Sequence, residues 1–267
     1  MSEPAPTVLV FDSGLGGLTV FRELTKARPD ANYVYLADDA RFPYGEIPEA
    51  ELVPRIVAVI GDAIAKHKPD IVIVACNTAS TLALEPLRTA FKVPFIGTVP
   101  AIKPACANSK SKLVSVLGTR ATVSREYTRS LIREFAQGCE VKLVGSAHLA
   151  SQAEGQLQGE PAPDARIAAE IAPCFVETNG ARTDTVVLAC THYPLLLDRL
   201  KKLATWPVDW IDPAPAIARR LTDLIGASAA GRPRSARFIA TSGRPLSPEL
   251  AAALAAYGFS PQIAENA

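Results

Sequence analysis

The fold class that this sequence predicts is α/β, in two related units that are each built on a parallel sheet. Three observations predict it. Short runs of branched apolar residues alternate with segments of helical period along most of the chain. Those runs are almost continuously apolar rather than alternating, as expected of strands covered by helices on both faces. One construction also occurs twice: "IVIVACNTAS", with Cys76, and "TVVLACTHYP", with Cys190, are each an apolar run closing on Ala-Cys and a small polar residue.

Taken in order, the first strand is "TVLVF", followed by the turn "SGLGGLTV" and a helix from about Gly17. "NYVYLAD" is a strand, a helix runs from Pro48 to His67, "DIVIVAC" is a strand, and a helix starts at Ser80 before the strand "VPFIG". The second half repeats the scheme. "KLVSVLG" is a strand, "GTRATV" a shorter counterpart of the first glycine turn, and "SREYTRSLIREFA" a helix. "EVKLVGS", the helical "DARIAAEIAPCFVET", the strand "DTVVLAC" and the helix "YPLLLDRLKKLA" follow. The proline-containing stretches "GTVPAIKPA", near Val99, and "TWPVDWIDPAPA", near Pro207, read as crossovers between units. The strand "RFIATS" and the helix "SPELAAALAAYG" then return to complete the first unit. The expected domains are therefore 1–99 plus 208–267, and 100–207.

Composition narrows the function. The 267 residues are 48% hydrophobic and 21% charged, an ordinary balance for a folded protein. Lys plus Arg (28) against Asp plus Glu (27) leaves a net charge of +1, so no overall field recruits nucleic acid or an anionic membrane. A small molecule is the expected partner. The N-terminal stretch has no signal-peptide pattern and no run is apolar enough to span a bilayer, which leads to the expectation of a cytoplasmic protein. Five cysteines, odd in number and without a C-x-x-C pair, make no disulfide framework.

Ligands of parallel sheets bind outside the carboxyl ends of the strands. Asp12-Ser13, Cys76-Asn77-Thr78, Thr119 to Thr122 and Cys190-Thr191-His192 all fall at such ends. A single cysteine there reads as a small buried hydrophobe, but the repeated placement points to chemistry. Cys106, Cys139 and Cys174 lack that placement and read as structural. Two thiols facing one tetrahedral carbon allow one to remove a proton while the other delivers one to the opposite face, inverting the centre. A free thiol has a pKa near ~8.5, so a base at neutral pH needs a neighbour. Asp12 is placed to serve Cys76, and His192 to serve Cys190. Asn77, Thr78 and Thr191 precede helices, where free N–H groups and the helix dipole favour a carboxylate; the same residue types also serve as ordinary N-caps.

Two other readings lose ground. "GLGGLT" has glycines at 14, 16 and 17 and lacks the third glycine of G-x-G-x-x-G, so it predicts no dinucleotide. Cys76, Cys190 and His192 lack the close spacing of structural zinc ligands, and no metal is expected.

"FDSGLGGLTV", "YLADDARFPYG", "VACNTAS", "LGTRATV" and "LACTHYPLL" together resemble the glutamate racemases, within the aspartate/glutamate racemase superfamily. The resemblance runs from the first strand to about Leu200. It implies a pseudosymmetric pair of α/β domains with the active site between them. It also implies direct interconversion of L- and D-glutamate without a cofactor, for the peptidoglycan of bacterial cell walls. On this pattern Cys76 acts on the D-enantiomer and Cys190 on the L-enantiomer, with Asp12 beside the first thiol and His192 beside the second. Ser13, Tyr44, Gly45, Asn77, Thr78, Thr119, Thr122 and Thr191 match substrate-binding positions, together with Asp12 and His192. The segment "GSAHLASQAEGQ" reaches Glu154, matched to a glutamate near the second thiol, by a more polar route than the family's. The short N-terminal lead resembles members without the extension linked to activation by a cell-wall precursor, so that regulation is not expected. A homodimer is expected, its geometry left open. Rival readings are an aspartate or hydantoin enzyme of the same superfamily, and a two-lobed amino-acid-binding protein. A gyrase-binding role associated with some members has no mark in this near-neutral sequence.

Overall fold

The computed structural model describes residues 5–227 and 235–260. The first half runs β1 (Thr7–Asp12), α1 (Leu18–Ala27), β2 (Asn32–Ala37), α2 (Glu49–His67), β3 (Ile71–Val74), α3 (Asn77–Ala90) and β4 (Phe95–Gly97). After α4 (Ile102–Asn108) come β5 (Leu113–Thr119), α5 (Arg120–Ser124), α6 (Glu126–Phe135), β6 (Glu140–Ser146), α7 (Leu149–Leu157) and α8 (Asp164–Ile171). The two-residue strands β7 (Glu177–Thr178) and β8 (Ala181–Arg182) form a small hairpin before β9 (Thr185–Ala189), α9 (Leu197–Leu203) and β10 (Asp209–Ile211). Then come α10 (Ala214–Ile225), β11 (Ser235–Ala240) and α11 (Pro248–Ala256).

Two parallel sheets result, in the orders β11-β2-β1-β3-β4 and β10-β9-β5-β6. Read from β2, the first sheet runs β2-β1-β3-β4; read from β6, the second runs β6-β5-β9-β10. The sheets thus share one topology, with β3 equivalent to β9. In each, the strand order reverses beside the central strand, where α/β sheets open a crevice for ligands. This places the residues after β3 and after β9, Cys76 and Cys190, at matching points.

Alternation along the strands builds the layers. Val8 and Val10 of β1 pack with Leu18, Phe21 and Leu24 of α1 and with Leu221 of α10. Leu9 and Phe11 point to the other face, against Leu52, Ile56 and Ile60 of α2 and Leu87 of α3. The second sheet is covered likewise: Val186 and Leu188 of β9 meet Leu149, Ile167 and Leu200, while Val187 meets Ile102 and Cys106 of α4. Helices cover both faces of each sheet because the central strands β1, β3, β5 and β9 are buried on both sides, whereas the edge strands β6 and β11 carry exposed polar residues. Cys106 and Cys174 are buried in these layers, and half-buried Cys139 packs against the same α4 cluster.

Helices α4, α7 and α10 and the β7–β8 hairpin are absent from the sequence reading, and three further details differ from it. The helix after β3 starts at Asn77 rather than Ser80, because Cys76 is its N-cap. The helical reading of "DARIAAEIAPCFVET" holds only to Ile171, where Pro173 enters a 3-10 turn. Asp209–Ile211 pairs with β9 in the second sheet rather than joining residues 208–267 in the first, so the second crossover follows Ile211.

Candidate active site

The loops at the carboxyl ends of both sheets line one narrow cavity. The first half contributes Ser13, Tyr44, Gly45, Cys76, Asn77 and Thr78 to its wall; the second contributes Thr119, Cys190, Thr191 and His192. The cysteines predicted to act as a pair therefore share one cavity, 6% and 7% exposed. Asp12, Thr122 and Glu154 are buried directly behind this wall, bonded to residues that form it.

Cys76 ends an apolar strand and caps the following helix, its sulfur accepting the Ala79 N–H at 3.5 Å. Its thiol donates to the Ser13 hydroxyl at 3.7 Å. Burial pushes this thiol up to about 12, the nearby Asp12 adding to the effect, so the group holds its proton in the free site. Cys190 stands 3.8 Å from Nδ1 of His192. The imidazole Nε2 in turn lies 2.9 Å from Glu154 Oε1. Burial pulls the His192 pKa down, but the hydrogen bonds to Cys190 and Glu154 and the Glu154 charge outweigh it, leaving it above its ordinary value.

Asp12 is fully buried at the end of β1. It lies close enough to Cys76 to raise that thiol, but both oxygens are bonded elsewhere: Oδ1 accepts the Gly14 N–H at 3.0 Å and Oδ2 the Thr191 hydroxyl at 2.9 Å. Its hydrogen bonds thus reach across to the residue beside the other thiol. Burial pushes Asp12 up to about 6, against the opposing pull of His192, Thr191 and Gly14.

The hydroxyls of Thr78, Thr119 and Thr122 form a triangle across the two halves, with separations of 3.4, 3.4 and 3.0 Å. Beside it, the side-chain amide of Asn77 is buried with neither Nδ2 nor Oδ1 hydrogen-bonded. Unpaired buried amides are costly and rare. An amide in this state in a cavity wall is complementary to a polar ligand. Among the described residues no group of three or more His, Cys, Asp or Glu side chains is arranged to hold a metal ion, and no helix is long and apolar enough to cross a membrane.

Sequence reasoning missed the support of the segment Phe42 to Glu46, whose Tyr44 and Gly45 line the cavity. Asp38, fully buried after β2, accepts Tyr44 Oη at 2.6 Å, Arg55 Nη2 at 2.6 Å and Nε at 3.1 Å, and the Thr241 hydroxyl at 2.6 Å. Burial pushes its carboxyl up, but the Arg55, Thr241 and Tyr44 donors overcome that and hold it below the usual range. The available signal was an acidic residue closing an apolar strand four places before "FPYG". Its partners lie far apart in the chain and have no local signature.

The family described as Asp/Glu/Hydantoin racemase matches residues 17–221. A glutamate racemase of Brucella canis is 57% identical over 225 residues, 84% of this chain and 81% of its own. The crystal structure of Escherichia coli glutamate racemase, in complex with L-glutamate and the activator UDP-MurNAc-Ala, superposes with a TM-score of 0.87 at 39% identity, covering 96% of each chain. The glutamate racemase of Aquifex pyrophilus superposes with a TM-score of 0.72 at 30% identity, over 96% of this chain and 97% of its own. A match across most of its length, on a fold with paired cysteines at equivalent strand ends, means that this chain belongs to the Asp/Glu/hydantoin racemase family.

Proposed function

We propose that this chain is a glutamate racemase that interconverts L- and D-glutamate by direct proton transfer at the α-carbon, without a cofactor. One observation carries the reading: two buried thiols from equivalent positions of the two sheets line a single cavity. The relatives' names favour glutamate over aspartate or a hydantoin, which would keep both thiols. An amino-acid-binding protein without chemistry leaves the paired thiols unexplained.

In this mechanism Cys190 removes the α-proton of L-glutamate while Cys76, protonated in the free site, delivers one to the opposite face. From D-glutamate the roles exchange. His192 orients and balances the charge of Cys190, with Glu154 behind it. Asp12 couples to Cys76 by proximity and to Thr191 by its hydrogen bond. The α-proton of an amino acid is weakly acidic, so thiols alone do not account for turnover. A dry site with fixed donors at the carboxylates supplies the remaining stabilisation. Asn77, Thr78 and Thr191, with the N–H groups opening α3, are suited to one carboxylate, and Ser13 and the Tyr44-Gly45 main chain to the other.

The product D-glutamate is assigned to peptidoglycan synthesis, in the cytoplasm. The resemblance carries the further expectation of a homodimer, which sedimentation velocity tests. For the reaction, Cys76→Ala and Cys190→Ala are each expected to lower racemisation by about 10²–10⁴-fold or more, the span of a lost acid or base. Calorimetry should still detect glutamate binding to both. Near-normal turnover by either variant contradicts the two-thiol assignment.

A further inference from the structure

The turn Gly14-Leu15-Gly16-Gly17, which fits no dinucleotide, has a different use. Positive φ occurs at Gly138, Gly159, Gly180, Gly226, Gly243 and Gly258 among the described glycines, and not in this turn. Left-handed backbone is therefore not what these glycines supply. They supply close approach. A Cβ on Gly14 would stand 2.1 Å from Glu154 Oε1, and one on Gly16 would stand 2.4 Å from His192 Nδ1 and 2.6 Å from Thr191 Oγ1. The bare main chain instead donates the Leu15 N–H to Glu154 Oε1 at 2.7 Å and the Gly16 N–H to His192 Nε2 at 3.2 Å.

The turn is itself held in place. The Gly14 carbonyl accepts the Tyr35 hydroxyl at 2.9 Å, and the Thr19 hydroxyl bonds the carbonyls of Gly16 at 3.0 Å and Thr191 at 3.3 Å. His192 Nε2 consequently has two neighbours of opposite kind, an N–H donor at 3.2 Å and a carboxylate oxygen at 2.9 Å. Protonated, it donates to Glu154; deprotonated, it accepts from Gly16. In either state Nδ1 stays turned to Cys190, with the Phe42 ring packed 5.1 Å from the imidazole, centre to centre.

We propose that the Gly14–Gly17 turn is a main-chain socket, contributed by one half, that holds the acid–base histidine of the other half in one orientation through both of its protonation states. Gly14 and Gly16 are its positioning residues. The kinetic consequences rest on the proposed racemase reaction, whereas the socket is a property of the protein without substrate.

The test uses the full chain, ¹⁵N-labelled and free of substrate. With three histidines in the sequence, long-range ¹H–¹⁵N NMR resolves each imidazole, and His192→Asn identifies the signal of interest. The wild type should show His192 with Nδ1 protonated and a single ring environment, which Gly16→Ala should convert to a shifted or averaged one. Glutamate turnover by Gly16→Ala should fall about 10²-fold, the scale of a ~1 Å misplacement, with a smaller rise in KM from the displaced Thr191 hydroxyl. The primary deuterium isotope effect should rise from L-glutamate and fall from D-glutamate, because the transfer at Cys190 is slowed the most.

Gly14→Ala adds an independent arm that does not depend on the first variant. Most of its harm should disappear in a Glu154→Ala background, where the carboxylate it displaces is gone and only the Phe42 ring, 3.1 Å from the added Cβ, must yield. Unchanged His192 signals in Gly16→Ala, isotope effects that move together, or a Gly14→Ala penalty independent of Glu154 would each overturn the socket. A wild type with the expected imidazole signature and no turnover of glutamate supports the socket and overturns the reaction.

Discussion

Asp12 illustrates how burial and charge compete at a single residue. Its carboxyl is pushed from 3.8 to about 6, chiefly by burial. Below about pH 4 the folded and unfolded chains both hold this proton. Between about pH 4 and 6 the folded chain holds it while the unfolded chain has lost it, so stability falls with rising pH and levels off above 6. Asp12→Asn cannot ionise, and its stability relative to wild type is expected to rise across that window by about 3 kcal/mol. Urea denaturation at a series of pH values checks this; a difference that shrinks with pH contradicts it. At this scale the sequence was informative about position and less so about partners. Cys76 and Cys190 were legible because an apolar run must end where its strand ends, and a reactive residue there has access to the crevice. That Asp12 bonds Thr191, and Glu154 bonds His192, depends on how two sheets meet, and no local pattern records it.

Among the elements, the short segment from Phe42 to Glu46 depends on a buried carboxylate, Asp38. Asp38 satisfies Tyr44, Arg55 and Thr241 together, and its removal leaves all three without an acceptor. Asp38→Ala is expected to destabilise the fold by about 3 kcal/mol, the lower end for breaking a buried pair, since Arg55 is 37% exposed. It should also raise KM for glutamate, because Tyr44 and Gly45 line the cavity. Denaturation midpoints and steady-state kinetics check the two effects; a KM equal to wild type removes the link between Asp38 and the site. Most strands and helices with long apolar patterns were readable from period alone; α10 was not, although Ile217, Ala218 and Leu221 recur at helical spacing. β10 was not, because three residues between Pro207 and Pro213 are too few to show a period, and only the vacant edge beside β9 selects them as a strand. Helix α4, seven residues with a proline inside, is hidden for the same reason.

At the scale of the whole molecule, the repeated topology explains why one chain carries the Ala-Cys construction twice: each sheet delivers one thiol to a shared cavity. The halves also meet at the rim, where Arg125 Nη1 bonds Glu49 Oε2 at 3.0 Å. It is the one ion pair among the described residues that links α2 of the first half to the α5–α6 junction of the second. Glu49 is 65% exposed, so the coupling from a double-mutant cycle of Glu49→Gln and Arg125→Gln should be below about 1 kcal/mol and shrink with added salt. A larger, salt-independent value contradicts a solvent-screened contact. The proposed two-thiol reaction belongs to this scale, since neither half holds both thiols. Proton NMR of L-glutamate, and separately of L-aspartate, incubated with the protein in D₂O without added cofactor tests it most directly, with circular dichroism following optical activity. Loss of both the α-proton signal and the optical activity of glutamate, with aspartate unchanged, is the predicted result; retention of the α-proton of glutamate that is demonstrably bound would contradict it.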